Sequence, residues 1–536
     1  MQEAPPPAPA VLDDDDIRLE SLGYRPQLNR VLGLFANFSV AFTYLSPMVG
    51  IFTLFTLGLS TGGPAYIWLT FIPVAGMLLV ALVFGELASH YPVAGALYQY
   101  SKYTVGRRFG WFYGIALLVT VAAVDTGVVI YAVALGHDLF GWSFNANSHG
   151  TILVVSLGLL AIQTTLNTTG AKIMGRVAQL GVYVEILGTF GIAIVLAIRG
   201  FHHGFGFLTT TANVQHAKSN PLGLNFGGSW IAAALVAVLA PVYIFYGFES
   251  AGDISEETKN AGRQVPRAMR LALIWGGIAS LVLTGALLLA MPAGANTVVK
   301  TIQSGGIPYI LSSLPSGLQE TMLGLIILAF FSCGSAVQAA GSRLAFSYAR
   351  DGALPASKWI SAVSERFKTP ANALFAGALI TVVFVGLEFA SPTHDVKILF
   401  FTYPANTNVL VSLVSFGISG IYLSFLLTVI GSMIARRRGW VPAGQFKLGR
   451  WAWPVSVAAV VYLGLMLVNV VAPTGLGSAR AYFNYDWVTL LVMVIVALLG
   501  VIVFFAAHRG REIGEHLIDH EAPVAAAEAV AAQPDR

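Results

Sequence analysis

Three carboxylates stand inside long apolar runs of the sequence: Asp125 in VAAVDTGVV, Glu185 in LGVYVEILGTF and Glu249 in YGFES. An ionisable side chain at membrane depth is costly and usually functional, because hydrocarbon does not solvate its charge. A carboxylate in this setting can bind a cation, can take up and release a proton, or can join two helices through a hydrogen bond. The residue types therefore predict cation or proton chemistry within a bilayer.

The elements that must position these carboxylates are membrane helices. The 536 residues are 56% hydrophobic and only 10% charged, whereas a soluble domain carries roughly 25% charged residues. About twelve apolar runs are long enough to predict spanning helices. They lie near residues 32–58, 64–88, 109–136, 151–167, 174–198, 229–259, 267–291, 318–348, 370–389, 405–435, 452–472 and 486–507. We expect an all-α polytopic membrane protein.

The distribution of Lys and Arg predicts the orientation of these helices. With the N-terminus in the cytoplasm, only five of the 30 basic residues fall in outer segments, namely Arg199, Lys218, Lys300, Lys397 and Arg480. Because cytoplasmic loops carry the excess of basic residues, we predict that both termini are cytoplasmic. The remaining 25 lie in short segments between apolar runs or at the ends of the chain. This pattern favours contact with a lipid bilayer and argues against a nucleic-acid partner.

Two of the apolar runs are interrupted. The first contains SPMVGI at residues 46–51, and the sixth contains YGFES at residues 246–250. Pro removes a backbone donor and Gly loosens a helix, and freed backbone groups are tolerated at membrane depth only inside protein or at a cavity. Either interruption alone is more often a packing feature. Their matched places, each opening a block of five helices, predict an inverted repeat with a substrate site between them.

The predicted organisation follows from this pattern. We expect a first five-helix repeat over residues 21–200, a second over residues 201–440 and two further helices over residues 441–510. Residues 1–20 are acidic and Pro-rich, and residues 511–536 are rich in Ala. We predict that both are disordered tails, because neither can bury much apolar surface.

The sequence gives little support to catalysis or metal binding. HExxH and P-loop patterns are absent, and a lone GxSxG match (GLSTG, residues 58–62) falls at the end of the first apolar run. The single cysteine, Cys333, excludes a disulfide or a Cys-based metal site within one chain. A channel would present a repeated pore motif or a charged ring, and neither is found. We therefore expect no enzyme and no cofactor, while a non-transporting membrane sensor remains an alternative.

Three segments resemble the amino acid-polyamine-organocation transporters: GFESAGDISEETKNAGRQVPRAMR at 247–270, GELASHYPVAGALYQY at 85–100 and SRLAFSYARDGALP at 342–355. Residues 22–55, 446–466 and 483–488 are similar to the amino acid/choline transporter branch, which includes GABA and choline permeases. The resemblance implies a leucine-transporter-like 5+5 inverted repeat with broken helices 1 and 6. It also implies a permease that moves a small amino acid or amine such as GABA across the plasma membrane by alternating access. The alternative is an exchanger for choline or polyamines, and the protein would be a monomer or a homodimer.

The resemblance further implies roles for the two interrupted segments. Backbone amides around Met48 to Ile51 would hold a substrate carboxylate, and carbonyls around Tyr246 to Phe248 would accept from its amino group. Met48 stands where the family usually has the first glycine of Gly-x-Gly, so we expect a reshaped pocket. Aromatic rings would cap the site and stabilise an ammonium through cation–π contact. The predicted substrate-binding residues are Ser46, Pro47, Met48, Val49, Gly50, Ile51, Asp125, Tyr243, Phe245, Tyr246, Gly247, Phe248 and Glu249.

Among these residues, Asp125 is included because it could pair with a substrate amine. A hydrogen bond to a neighbouring helix is the slightly favoured alternative for this side chain. On either interpretation, Asp125 interacts with a group outside the third apolar run, either a substrate amine or a neighbouring helix.

Two carboxylates are predicted to couple transport to protons. Glu185 lies about ten residues from either end of its run, and by resemblance it aligns with a lysine that replaces a sodium ion in some proton-coupled relatives. We expect Glu185 to titrate, and the alternative is a constant ion pair or a protonated hydrogen-bond donor. Glu249 would couple substrate occupancy to gating. Sodium coupling has weaker support, because Ser332 and Ser335 are not adjacent and a hard cation prefers oxygen ligands.

A charged segment follows the second interruption. Its residues are predicted to form either a salt-bridged gate or a solvated loop at the inner surface. They are Glu256, Glu257, Lys259, Arg263, Arg267 and Arg270, with Glu86 and Arg350 in the same class.

Overall fold

The structure is a computed structural model, and its described part is almost entirely helical. It describes residues 14–140, 149–216, 218–220, 225–294, 296–387, 394, 396–398, 401–403, 409–471 and 488–507. The predicted tail at 511–536 and the first 13 residues of the other tail lie outside these ranges. One departure from the expected all-α fold is a hairpin of two three-residue strands, β1 (Val396–Ile398) and β2 (Phe401–Tyr403), which pair antiparallel.

The α-helices are numbered here in chain order. They are α1 Asp14–Ser21, α2 Leu34–Leu45, α3 Pro47–Gly62, α4 Phe71–His90, α5 Ala96–Thr104, α6 Arg107–Phe140, α7 His149–Thr168, α8 Ala171–Arg199, α9 Trp230–Ala237, α10 Leu239–Ile244, α11 Ser250–Asp253, α12 Ala261–Leu289, α13 Thr297–Gln303, α14 Ile307–Leu311, α15 Ser316–Arg350, α16 Ser357–Ile360, α17 Ala371–Leu387, α18 Val409–Arg437, α19 Ala452–Val471 and α20 Val488–Ala507. Short 3₁₀ helices cover Pro64–Thr70, Phe205–Thr209, Ser255–Glu257 and Gly449–Trp451.

Eight helical stretches in the described part of the chain are long and apolar enough to cross a membrane. They are Leu34–Gly62, Pro64–His90, Arg107–Gly136, Ala171–Arg199, Ala261–Leu289, Ser316–Arg350, Ser415–Arg437 and Gly449–Val471. Shorter apolar helices cover Ile152–Thr168, Trp230–Ile244, Ala371–Gly386 and Met493–Ile502. Each stretch falls within one of the predicted apolar runs or overlaps it. The protein is a helical, multi-pass membrane protein, and a total of twelve spans stays a prediction.

The first interruption separates α2 from α3 at Ser46. This residue adopts a left-handed conformation with φ of 36°, and Pro47, which has no amide hydrogen, starts the next helix. Ser46 caps α3 by accepting a hydrogen bond from the Val49 amide at 3.3 Å. The helix therefore restarts in the middle of the bundle, which leaves the first amides of α3 pointing into protein and not into water.

The second interruption separates α10, which ends at Ile244, from α11, which begins at Ser250. Gly247 lies between them with φ of 93°, a conformation that L side chains rarely adopt. A Cβ at this position would lie 2.9 Å from the Leu45 amide nitrogen and 2.7 Å from the Tyr44 ring. The two interruptions therefore face each other at backbone contact distance.

Close packing between α3 and α10 gives a direct test of this arrangement. A Cβ at Gly50 would lie 2.5 Å from Ile244 Cγ1 and 3.3 Å from its Cα. Gly50→Ala is expected to lower the thermal unfolding temperature of the purified protein, because overpacking typically costs about 1–3 kcal/mol. Gly191→Ala on α8 is the matched control, since nothing lies within 4 Å of its Cβ position. Equal unfolding temperatures for the two variants would contradict the close contact.

The N-terminal helix packs against one end of the bundle, called here the α1 end. Asp15 accepts a hydrogen bond from the Ala261 amide at 2.5 Å, and Arg30 pairs with Asp16 at 2.6 Å. The Leu32 amide bonds to the Glu257 carbonyl at 2.9 Å. Residues 14–20, which we assigned to a disordered tail, are thus helical, because polar contacts and burial compensate for their ordering entropy.

Candidate binding site at the helix interruptions

Glu185 reaches across from α8 to the first interruption. Its Oε1 accepts a short hydrogen bond from the Ser46 hydroxyl, and its Oε2 accepts from the Met48 amide at 3.3 Å. The side chain is only 1% exposed. A helix N-terminus carries partial positive charge and free amides, so it stabilises a carboxylate. Glu185 therefore occupies the α3 N-terminus, where the family resemblance implies that a substrate carboxylate would bind.

The side chain of Met48 packs away from the interruption and over α8. A Cβ at Gly188 would come within 2.0 Å of Met48 Cε, and a Cβ at Gly181 would come within 2.8 Å of Thr43. Two glycines one turn to either side of Glu185 thus let α8 approach α2 and α3 closely. The bulky Met48 is accommodated by Gly188, while its backbone amide stays available to a carboxylate.

Glu249 stabilises the second interruption from within. Its Oε2 accepts from the Gly247 amide at 2.8 Å, and Ser250 Oγ donates to the Gly247 carbonyl at 2.6 Å. Phe248 turns its ring towards Phe84 and Phe425, with centroids 6.0 and 5.5 Å away. The Phe248 side chain is therefore part of the aromatic core, and the Gly247 carbonyl already has a donor.

A cluster of tyrosines lies between the two interruptions. Tyr246 makes edge contacts with Tyr243 at 5.7 Å and with Tyr44 at 6.3 Å between ring centroids. The Tyr44 hydroxyl is buried and has no hydrogen-bond partner among the described residues. Tyr44 was missed in the sequence analysis, although its place two residues before Ser46 was a usable signal. The Tyr44 hydroxyl is thus an unused hydrogen-bond donor beside Gly247 in the described part of the chain.

All the predicted residues at the interruptions are closed off from solvent. Those on the first segment are Ser46, Pro47, Met48, Val49, Gly50 and Ile51, and those on the second are Tyr243, Phe245, Tyr246, Gly247, Phe248 and Glu249. The structure brings these two sets together with Glu185, since Gly50 abuts Ile244 and Gly247 abuts Tyr44.

Asp125 is not part of this cluster. It lies on α6, and its Oδ2 accepts from the Thr381 hydroxyl on α17 at 3.2 Å. It lines a cavity between α6, α15 and α17, and no residue of either interruption lines that cavity. The structure therefore gives Asp125 the bond to a neighbouring helix that was the alternative to pairing with substrate.

The contact between α15 and the end of α2 bears on the possibility of sodium coupling. Cys333 Sγ lies 3.4 Å from the Tyr44 carbonyl. Ser332 donates to the Leu328 carbonyl at 2.7 Å, and Ser335 Oγ accepts from Asn167 at 3.2 Å. The group that α15 presents to the first interruption is thus a soft thiol, whereas a hard cation prefers oxygen ligands. This geometry gives no support to sodium coupling.

Ion pairs close the α1 end of the bundle. Arg343 and Glu257 form a two-pronged pair at 3.0 and 2.9 Å, and both side chains are fully buried. Arg350 pairs with Glu256 at 2.7 Å. By contrast, three basic residues of the same charged segment are exposed, namely Lys259, Arg263 and Arg267. The segment thus divides into buried acids that are ion-paired and a solvated basic surface.

A further buried ion pair joins α5 to the residue that follows α15. Lys102 Nζ lies 2.6 Å from Asp351 Oδ2, and Tyr24 and Tyr98 donate to the same carboxylate at 2.7 and 2.8 Å. Burial by itself would raise the pKa of the Asp351 carboxyl, but Lys102 and the tyrosine hydroxyls outweigh burial and hold that pKa below its usual value. Asp351 therefore stays charged at neutral pH and ties three segments together.

Comparison with known proteins agrees with this architecture. The sequence profile of a family described as Amino acid permease matches residues 32–507. The chain is 25% identical to Amino-acid permease BAT1 of Arabidopsis thaliana, over 91% of this chain and 94% of that protein. It is 25% identical to Thiamine transporter thi9 of Schizosaccharomyces pombe, over 92% and 86% of the two chains. It is 26% identical to Amino-acid permease 2 of Neurospora crassa, over 92% and 88%.

Proposed function

Because the chain belongs to the amino acid permease family and is a membrane transporter, not an enzyme, we propose that it moves a small amino acid or amine such as GABA by proton-coupled alternating access. The site is the pair of helix interruptions at Ser46 and Gly247. The position of Glu185 at the N-terminus of α3 is the observation that carries this proposal.

Glu185 and a substrate carboxylate compete for the same place. Both are anions that need the Met48 amide, and one amide N–H cannot satisfy two carboxylates. When Glu185 takes up a proton, it loses the charge that the α3 N-terminus stabilises, and the amide becomes free for the substrate. Binding of a carboxylate substrate thus requires a proton on Glu185, and releasing the two together completes a symport cycle.

The other residues of the site fit an amino-group ligand. Tyr44 offers a free hydroxyl, and the carbonyls around Tyr246 and Phe248 accept from an ammonium. The Tyr243 ring, in edge contact with Tyr246, and the buried Phe245 would supply the predicted aromatic wall. Glu249, bonded to the Gly247 amide, is placed to relay occupancy of the site to α11 and the paired acids that follow it.

The fold that supports this cycle is proposed to be a leucine-transporter-like inverted repeat. The first repeat would cover residues 21–200 and the second residues 201–440, with α2–α3 and α9–α11 as the equivalent broken helices. Two further helices would follow over residues 441–510. Both termini would be cytoplasmic in the plasma membrane, which makes the α1 end the inner gate.

The alternative function is exchange of an amine without a carboxylate, such as choline or a polyamine. It is favoured if Glu185 stays ionised, because the α3 N-terminus is then permanently filled by an internal anion and the site carries net negative charge. The similarity to a protein named as a thiamine transporter supports this alternative, because it indicates that a relative of this chain transports an amine without a carboxylate.

Counterflow in proteoliposomes tests the proposed function. Vesicles preloaded with unlabelled GABA, choline or putrescine receive the labelled compound outside. A carrier gives transient accumulation of label with its own substrate, and comparison of GABA with choline and putrescine separates symport of an amino acid from amine exchange. Absence of counterflow with every amino acid and amine tested would contradict a carrier and favour a sensor.

Removing the Tyr44 hydroxyl is expected to weaken substrate binding. A net hydrogen bond contributes about 0.5–1.5 kcal/mol, so Tyr44→Phe should raise KM for uptake by roughly two- to tenfold with a smaller change in maximal rate. Tyr100→Phe is the matched control, because the Tyr100 hydroxyl is also buried without a partner among the described residues but lies on α5. If both variants change KM alike, Tyr44 has no specific role.

A further inference from the structure

The cavity beside Asp125 has the composition of a binding site. Its volume is about 170 Å³, far above the roughly 10–15 Å³ that one water needs on the same measure. Four of its 20 lining residues have polar side chains, namely Asp125, Gln338, Ser342 and Thr381. The rest of the wall is apolar or glycine. Such a cavity favours a ligand with an apolar body and a single polar group.

Asp125 is the lining side chain in which one carboxylate oxygen lacks a hydrogen-bond partner within the described part of the chain. It is only 2% exposed, and its Oδ1 is buried with no hydrogen-bond partner among the described residues. Gln338 lies on the same wall, and one N–H of its amide donates to Gln163 at 3.1 Å, which leaves a second, neutral N–H near Asp125. Ser342 donates to the Ala339 carbonyl at 2.7 Å. Ser342 is thus engaged elsewhere, and a neutral N–H of Gln338 does not neutralise a buried carboxylate, so the site still lacks a charged donor among the described residues.

No cation of the described chain neutralises this carboxylate. None of the lining residues is Lys, Arg or His, and no described ion pair includes Asp125. Burying a charge without a counterion is costly, and a charged N–H donor both neutralises a carboxylate and completes its hydrogen bonds. An ammonium group is therefore the chemical complement of this wall.

We propose that the cavity between α6, α15 and α17 binds a primary ammonium ion with a compact apolar body, held by Asp125 and separate from the helix interruptions. The ammonium donates to Oδ1, while Thr381 continues to donate to Oδ2. The apolar body lies against the aliphatic side chains and glycines of the three helices. The ligand is either a free small amine or the ammonium of an aminated lipid, since both present the same group.

Calorimetric titration of the full chain in phosphatidylcholine nanodiscs tests the proposal, with cyclohexylammonium as the probe. We expect one site per chain for cyclohexylammonium and at least about tenfold weaker binding of cyclohexanol, which has the same ring without the charge. This comparison needs no variant. Equal binding of the two compounds would overturn the assignment of Asp125 as the partner of a cation.

Two variants locate the site. Asp125→Asn should weaken cyclohexylammonium by at least about tenfold, because it removes the charge and keeps the shape. Gly377→Leu should abolish binding by filling the cavity, since Gly377 lines it and has nothing within 4 Å of its Cβ position. Gly386→Leu is the matched control on the same helix, with open space and no place in the lining. Wild-type affinity in Asp125→Asn or Gly377→Leu would overturn the proposal.

The remaining outcomes separate this site from the transport site and identify its source of ligand. Loss of cyclohexylammonium binding in Tyr44→Phe but not in Asp125→Asn would place the amine at the interruptions, which overturns this proposal and leaves the transport function intact. In nanodiscs with added phosphatidylethanolamine, suppression of cyclohexylammonium binding identifies a lipid ammonium as the ligand. Unchanged binding identifies a free amine.

Discussion

Glu185→Gln is expected to abolish proton-driven accumulation of substrate while exchange in counterflow persists. Glutamine has nearly the shape of a protonated glutamate and, like it, carries no charge that competes with the substrate for the Met48 amide, but it neither binds nor releases a proton. A one-unit pH gradient supports about tenfold accumulation for each coupled proton, because one pH unit corresponds to about 1.4 kcal/mol. The wild-type protein should reach this ratio in vesicles without a membrane potential, and the variant should stop near unity.

The control for this experiment is Glu320→Gln. Glu320 lies on α15 and is exposed, so the same change of charge should leave both accumulation and its pH dependence as in the wild type. Accumulation by Glu185→Gln that equals the wild type and follows the same pH profile would exclude Glu185 from coupling. Exchange of choline or putrescine that Glu185→Gln abolishes would favour the amine exchanger, because that alternative depends on the negative charge of an ionised Glu185.

Glu257→Gln is expected to open the α1 end of the bundle. Removing one partner of a buried ion pair typically costs about 3–5 kcal/mol, because the remaining charge is left without compensation. That cost falls on the closed state, where Arg343 is fully buried. It is comparable to the roughly 5.5 kcal/mol that converts a 99:1 equilibrium to 1:99. We expect a lower thermal unfolding temperature and a large loss of transport, since the closed state becomes too rare for the cycle.

The single cysteine provides a direct measurement of this opening. Cys333 is buried next to Tyr44, so a membrane-impermeant maleimide should modify it slowly in the wild type and much faster in Glu257→Gln. Lys259→Gln, at an exposed position in the same segment, should behave as the wild type. The double variant Arg343→Met, Glu257→Leu removes both charges and should recover most of the stability. A Glu257→Gln protein with wild-type stability and labelling would show that the pair does not hold this end closed.

The features that local chemistry decides were predictable from the sequence. Apolar runs mark where helices lie, because hydrocarbon offers the backbone no hydrogen-bond partner and a helix satisfies its backbone groups within its own segment. The interruptions were also predictable, since Pro47 has no amide hydrogen and Gly247 adopts a conformation that other residues avoid. The unusual depth of Glu185 followed from its place in its run. Each of these depends on a few neighbouring residues.

The partners of these groups were decided only by the tertiary structure. Glu185 and Met48 are 137 positions apart, and Arg343 and Glu257 are 86 apart, so no local pattern relates them. Asp125 shared the sequence setting of Glu185 and Glu249, with a bond to a neighbouring helix slightly favoured over a substrate role, and packing of α6 against α15 and α17 places it at a separate cavity. The acidic N-terminus was predicted to be a tail, and Asp15 instead meets the start of α12. Sequence thus determines which residues are costly to bury, whereas the arrangement of helices determines what each of them meets, because those contacts join segments far apart in the chain.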